Sequence, residues 1–326
     1  MSTLDTILYL SRKDIENLCI PIKNVISTVE QAFLQKAHGN IEAPPKPGIH
    51  PTQDAFIHAM PAYLRETRAA GMKWVSGFPE NPAHGLPYIA GLLILNDAST
   101  GFPICIMDCT WLTAKRTGAA TAVAAKYLAR RNSSTLGILG CGVQGRSNLE
   151  ALTVMFDGIA EVKAYDIIPA NQKRYVKEMS QKYCFHVVPV GSPKEAVENC
   201  DIVVSAGPIL KHPEPVVEPS WVSKGTFVCP LDFDSYWKPE TMRSMAKFCT
   251  DDLEQLMYYR KQGYFANIPL VYAELSEIVS GKKKGRESDY EKIMSMNLGL
   301  AIEDIATAKT IFDKARKAET GTLLPL

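Results

Sequence analysis

Apolar residues recur at two different spacings along this chain, and the texture changes near residue 113. Before that point Ser11-Arg-Lys-Asp14 opens a helical segment. Ile22, Val25, Ile26, Val29 and Phe33 then fall at helical spacing up to Lys36. Pro44, Pro45, Pro47 and Pro51 forbid a helix and predict extended chain with turns. Short apolar runs at 56–60, 72–75, 89–96 and 104–107 read as strands, with 97–101 as the turn between the last two. Hairpins of this kind predict a mostly antiparallel sheet.

Residues 113–131 are rich in alanine and predict one long helix whose small side chains permit close packing. Short apolar runs follow at 135–139, 161–165, 186–190, 201–205, 226–230 and 247–250, which read as strands. They alternate with helical stretches at 147–156, 169–183 and 193–199. Pro169 and Pro193 sit where a first-turn proline is tolerated, and Ser192 is a good N-cap. Such alternation predicts an α/β fold: a Rossmann-type doubly wound parallel sheet beside an α+β unit. From about residue 298, Leu300, Ile302, Ile305, Ala308 and Ile311 predict a last helix, and Lys282, Lys283 and Lys284 a solvated loop.

Composition narrows the function classes. In 326 residues, 36 Lys+Arg balance 35 Asp+Glu to a net charge of +1, which argues against nucleic acid as a partner. The longest aliphatic stretch, 89–95, is far short of the roughly 20 residues a membrane span needs. The first ten residues lack a basic region and a cleavage site, so no secretory leader is expected and the protein is expected in the cytoplasm. The eight cysteines are scattered without a CxxC, and no HExxH occurs, so buried structural thiols and no metal site are expected.

The strongest local signal is Gly140-Cys-Gly142-Val143-Gln144-Gly145, which follows a strand and opens a helix. Its first glycine permits the tight turn, the second lets backbone approach a pyrophosphate, and the third lets helix and strand pack closely. The next strand ends in Asp166, a carboxylate suited to the adenine ribose hydroxyls and repulsive to a 2′-phosphate. NAD is therefore the expected cofactor, in preference to NADP. Arg116 and Thr117, near the start of the alanine-rich helix, suit further phosphate contacts, or else form a solvated basic turn.

These motifs, with residues 97–101, Pro103 and 112–120, resemble the ornithine cyclodeaminase/μ-crystallin family, and within it the archaeal alanine dehydrogenase branch. The likeness extends to Met60-Pro61, Lys73-Trp74, Gly85, Asp251-Asp252 and Gly299. It implies a substrate-binding and dimerisation domain from residues 1–112 and 300–326, an NAD-binding Rossmann domain from 113–299, and a homodimer. It also implies roles. Lys73 lies near the substrate carboxylate and reacting carbon, Lys46 binds the carboxylate, and His58 stands at a substrate-binding position. Asp234 is the catalytic aspartate, with Lys238, a cofactor-binding residue, as its companion. Arg116 and Thr117 meet the pyrophosphate, and Asn297, replacing a serine, lies by the cofactor.

Those residue types fit a carbon bearing an amine that loses hydride to nicotinamide. Ammonium groups orient the anion and stabilise charge, and a carboxylate moves protons. His58 departs from the family pattern, which carries a glutamate in cyclodeaminases and an arginine in the alanine dehydrogenase branch. Tyr88 replaces a threonine. Phe233, Tyr236 and Trp237 surround Asp234 with aromatics, which implies a larger substrate unless they merely pack the loop. The expected activity is an NAD-dependent oxidoreductase of a small amino or imino acid, alanine-dehydrogenase-like. Its rivals are reduction of a cyclic imine such as pyrroline-2-carboxylate, ornithine cyclodeamination, and a μ-crystallin-like binding protein.

Overall fold

The computed structural model describes residues 6–265 and 267–326. The expectation of no leader rests in part on residues 1–5, outside the described ones. Two compact units form, Met1–Arg116 with Gly299–Leu326, and Thr117–Leu298.

The first unit is built on β1 (Thr6–Leu10), β2 (Ile41–Glu42), β3 (Gly48–Ile49), β4 (Phe56–Leu64), β5 (Ala69–Gly77), β6 (Ile89–Asp97) and β7 (Pro103–Asp108), with the C-terminal strand Thr322–Pro325. Strand order is C-terminal strand, β1, β7, β6, β5, β4, β2, with β3 also on β4; every pairing is antiparallel except β1 with β7. The β6–β7 turn closes because Asp97 Oδ1 accepts from the backbone of Ser99 and Thr100, and Gly101 takes φ +74°. Helix α1 (Arg12–Asn17) starts in a capping box between Ser11 and Asp14. Helix α2 (Ile22–Ala37) buries its apolar stripe, including Ile22, Val25, Ile26, Val29 and Phe33. The last helix, Ala301–Lys317, packs on α2 and across β4 and β5.

Helix α3 (Thr110–Leu128) begins before the expected residue 113, because Asp108 Oδ1 accepts from the backbone N–H of Thr110. Arg116 and Thr117 therefore lie well inside a helix and not at its positive end, which corrects the sequence reading of their setting.

In the second unit β8 (Thr135–Leu139), β9 (Glu161–Tyr165), β10 (His186–Pro189), β11 (Ile202–Ser205), β12 (Phe227–Pro230), β13 (Lys247–Thr250), β14 (Ala273–Glu274) and β15 (Ile293–Met296) make one sheet. Its order is β10-β9-β8-β11-β12-β15-β13-β14, parallel throughout. Helices α4 (Val143–Met155), α5 (Pro169–Lys182) and α6 (Pro193–Val197) cross over between strands. Strand order reverses at β8, so a ligand crevice is expected at the carboxyl ends of β8 and its neighbours. Gly118 of α3 lies so close to α4 that a Cβ there would stand 2.5 Å from the Ser147 carbonyl oxygen. The small residues of that helix are thus used for close packing.

Candidate active site

In the first unit, register places a group of charged residues on the buried face of the sheet. Met60 of β4 pairs with Lys73 of β5, and His58 pairs with Val75. Side chains alternate along a strand, so His58, Met60, Lys73 and Val75 share that face, and all four are buried. Lys73 is a lysine at a core position. Its Nζ lies 2.7 Å from Asp304 Oδ2 in the first turns of the last helix. Arg116 Nε lies 2.9 Å from Asp304 Oδ1 and its Nη1 2.8 Å from Glu303 Oε2. Burial pushes the Lys73 pKa down, the Asp304 carboxylate opposes that, and the Arg116 guanidinium adds to it.

Lys46, also buried, donates from Nζ to the carbonyl oxygen of Gly299 at 3.2 Å. The His58 ring stacks on Phe56 with centroids 4.3 Å apart. Gly48 of β3 makes room for that ring, since a Cβ there would stand 2.2 Å from His58 Cδ2. Burial first, and then Lys46, His50 and Lys73, drive the His58 pKa down to about 2. The imidazole is therefore neutral across the physiological range. Lys46, Lys73 and Arg116 thus bring three cationic side chains to this buried face, the last two paired with Asp304 and Arg116 also with Glu303. Such a face suits a carboxylate.

In the second unit the Gly140–Gly145 turn has the form a dinucleotide requires. Gly140 takes φ +102°, and a Cβ on it would stand 2.5 Å from the Ala206 carbonyl oxygen. A Cβ on Gly145 would stand 2.3 Å from the Gly140 carbonyl oxygen, so helix and turn touch through backbone. At Gly142, by contrast, nothing lies within 4 Å of that position. It is the glycine whose missing side chain leaves open space for a ligand. Gly142 is also the N-cap of α4 with no side-chain cap, so Val143 and Gln144 begin the helix with their backbone N–H groups available to an anion. Asp166, just past β9, accepts from Cys141 N at 2.7 Å and Ile168 N at 2.9 Å. A carboxylate has about four acceptor sites, so capacity remains for ribose hydroxyls. Thr117 is half-buried on α3, and its carbonyl accepts from the Thr121 hydroxyl. Asn297, buried just past β15, accepts from Ser295 Oγ at 2.8 Å, while its Nδ2 has no protein partner among the described residues. A donor left over in this way is what a bound acceptor would satisfy. The residues present fit NAD.

The two aspartates after β12 divide their work. Asp232 is fully buried, accepts from Ser205 Oγ at 2.7 Å and from Gly207 N at 2.8 Å, and burial raises its pKa to about 6. Ser205 Oγ in turn accepts from Trp237 Nε1 at 2.8 Å. This chain of bonds pins the loop that presents Asp234, whose own pKa burial also raises. Phe233, at φ 60°, packs against Tyr259, Tyr264 and Phe265, and Trp237 is wholly buried. Of the two readings of those aromatics, loop packing is the one that Phe233 and Trp237 follow. Lys238, expected beside Asp234, forms its ion pair with Glu218. Arg116, expected at the pyrophosphate, is held by Glu303 and Asp304 in the first unit.

Glu303 and Asp304 were missed in the sequence. The signal was there: Asp304 falls in register with Ala301, Ala308 and Ile311, on the stripe a buried helix turns inward. Among the described residues no cluster of three or more His, Cys, Asp or Glu side chains is arranged to hold a metal.

A Rossmann-type parallel sheet carrying a dinucleotide turn, joined in one chain to a second unit with buried cations, defines a nucleotide-dependent α/β protein. The chain belongs to the ornithine cyclodeaminase/mu-crystallin family, whose profile matches residues 7–319. It is 38% identical to an alanine dehydrogenase of Archaeoglobus fulgidus over 97% of each chain. Its structure is similar to that of Thermococcus litoralis Delta(1)-pyrroline-2-carboxylate reductase in complex with NADH and L-proline. That match has TM-score 0.88 and 39% identity, and covers 97% of this chain and 99% of the other. It is also similar to an archaeal alanine dehydrogenase dimer with bound NAD, at TM-score 0.87 and 36% identity, covering 98% and 99%.

Proposed function

We propose that this protein is an NAD-dependent oxidoreductase acting on the CH–NH2 or C=N carbon of a small L-amino or imino acid with an uncharged side chain. The observation that carries the substrate class is the buried face of the first unit, where the cationic side chains of Lys46, Lys73 and Arg116 lie on the same side as a His58 that burial keeps neutral. These cations suit a substrate carboxylate. A substrate with an ammonium on its side chain would bring a further cation beside Lys46, Lys73 and Arg116. This argues against ornithine.

Nicotinamide, when bound, supplies the hydride acceptor or donor. The chain's own residues do the rest. Lys46 and Lys73 hold the substrate carboxylate, and Lys73 stabilises charge that develops near the reacting carbon. In the oxidative direction the C–H bond breaks with its electron pair, leaving an iminium. Addition of water to that carbon and loss of ammonia give the 2-oxo acid. Asp234, held in a partly buried loop, takes and returns the protons of water and amine. In the reductive direction a cyclic or open imine gains hydride at carbon and a proton at nitrogen. The turn from Gly140 to Gly145 with Val143 and Gln144, and Asp166, Thr117 and Asn297, bind the cofactor.

Reduction of a cyclic imine is the second reading. The resemblance to the reductase complexed with NADH and L-proline favours it, as does the flat Phe56–His58 stack. We also propose a cytoplasmic homodimer. Trp74 and Leu92, paired across β5 and β6, are both exposed on the outer face of the sheet and supply an apolar surface for a second copy. The deciding experiment follows NADH consumption with a panel of 2-oxo acids plus ammonium, and of cyclic imines. Turnover with at least one uncharged substrate is expected. Binding of NADH without turnover on any of them would leave a ligand-binding protein.

A further inference from the structure

Glu303 and Asp304 are wholly buried acids at the start of the last helix. Burial of two carboxylates is costly unless each is closely paired, and a buried pair is weak evidence of stabilisation for its own sake. Their arrangement is specific. One carboxylate, Asp304, spends one oxygen on the Lys73 ammonium at 2.7 Å and the other on the Arg116 Nε at 2.9 Å. Glu303 takes Arg116 Nη1 at 2.8 Å, and its other oxygen accepts from Leu300 N at 3.3 Å, which caps the helix. Both acids thus stand in the opening turns of a long helix, where the dipole favours negative charge and the backbone is fixed. Lys73 has a flexible four-carbon stem and a strongly hydrated head, which needs an anchor to hold one orientation in a dry site.

We infer that Asp304 is a positioning residue: its two oxygens fix the Lys73 ammonium and the Arg116 guanidinium at one spacing, so that the cations meet the substrate carboxylate already oriented. The inference rests on the proposed role of Lys73. It has a second consequence. Lys73 is faced by Asp304 from the last helix, by Arg116 on α3 and Cys109 just before it, and by His58 from β4. Burial and Arg116 both lower its pKa, and Asp304 is the main group opposing them. Without that carboxylate the ammonium loses its proton at lower pH.

The test compares Asp304→Asn and Asp304→Glu with the unmodified protein in steady-state kinetics across pH, after melting curves confirm folding. For Asp304→Asn, KM for the carboxylate substrate should rise about 10–100-fold. The alkaline limb of kcat/KM should move to lower pH by about one unit or more. Fluorescence titration of NADH should be unchanged. Asp304→Glu keeps the charge but displaces it, so KM should rise while the alkaline limb stays in place. An Asp304→Asn protein with the original KM and alkaline limb overturns the inference. If that variant does not fold, Asp304→Glu decides, and a KM within about threefold of the unmodified protein overturns it. The same comparison is read in the affinity of pyruvate and L-proline, by quenching of NADH fluorescence. Absence of turnover in the unmodified protein then sinks the functional reading, while the binding data still decide this one.

Discussion

Lys73 and Asp304 form a closed ion pair, 2.7 Å between Nζ and Oδ2, with the two side chains 1% and 0% exposed. A strand residue and a helix residue more than two hundred positions apart meet on the one face of the sheet that the helix covers. Breaking a buried pair of this kind by removing one partner is costly, because the other charge is left in a dry interior.

Lys73→Ala should therefore do two things at once. It leaves Asp304 buried with Arg116 as its ion-pair partner, so stability should fall by about 3–5 kcal/mol, as when one member of a buried pair is removed. Turnover should fall about 10²–10³-fold with the loss of one charge-stabilising donor. Melting curves, steady-state rates and NADH titration separate the effects, and NADH affinity should stay near normal. Retention of more than about a tenth of the turnover would remove Lys73 from the catalytic set.

For Asp234→Asn the expected loss is on the order of 10²–10⁴ in turnover. The wild-type rate should also show an acid limb raised from the ordinary aspartate value, since burial raises this pKa and the working form is the carboxylate. Activity should fall as pH falls through that limb. The variant should lack it, and a pH profile that keeps the limb would assign it to another group.

Cofactor choice follows from Asp166. NADH should be clearly preferred to NADPH, because the carboxylate fixed by Cys141 N stands where ribose hydroxyls are expected. Asp166→Ser should relax the preference and also weaken NADH binding, since the turn loses an internal bond. Equal kcat/KM for both cofactors in the unmodified protein would refute this.

His58, with its pKa driven down to about 2, should add no titration to the rate between about pH 5 and 8. Ornithine should not be cyclised at a rate competing with the best substrate. Gly48→Ala should disturb the same pocket, because its Cβ would meet His58 Cδ2 at 2.2 Å. A lower melting temperature and raised KM with unchanged NADH affinity are the expected readouts.

Asp232 contributes a pH dependence of stability. Its carboxyl ionises at 3.8 in the unfolded reference and at about 6 in the folded protein. Between those values the folded state holds the extra proton, so this contribution favours folding at low pH and is lost as pH rises through about 6. Melting temperatures taken across that window, compared with Asp232→Asn, should show the slope in the unmodified protein alone.

Local rules decided much of this architecture. Strands β8 and β9 and helix α2 follow from apolar period and capping, because each element's pattern satisfies its own backbone and faces a single core. The turn at residues 140–145 was legible for the same reason, since each glycine answers a steric demand within a few residues of itself. Strand β15 was not legible. Its Ile-Met-Ser-Met run is buried on both faces between β12 and β13, and a short, doubly buried strand has no alternation to read.

Fold class, the nucleotide turn and the presence of Lys46, Lys73 and His58 were all legible along the chain. What those residues are emerged only when the fold packed them. Charge state depends on burial and on neighbours brought together by the fold, and neither is encoded in local spacing. The register of β4 on β5 turned Lys73 inward, and the last helix brought Asp304 and Glu303 to it and to Arg116. Burial made His58 neutral and set Asp232 to bracing a loop. A periodic pattern says which face a residue takes; a dry interior says what its charge can do there.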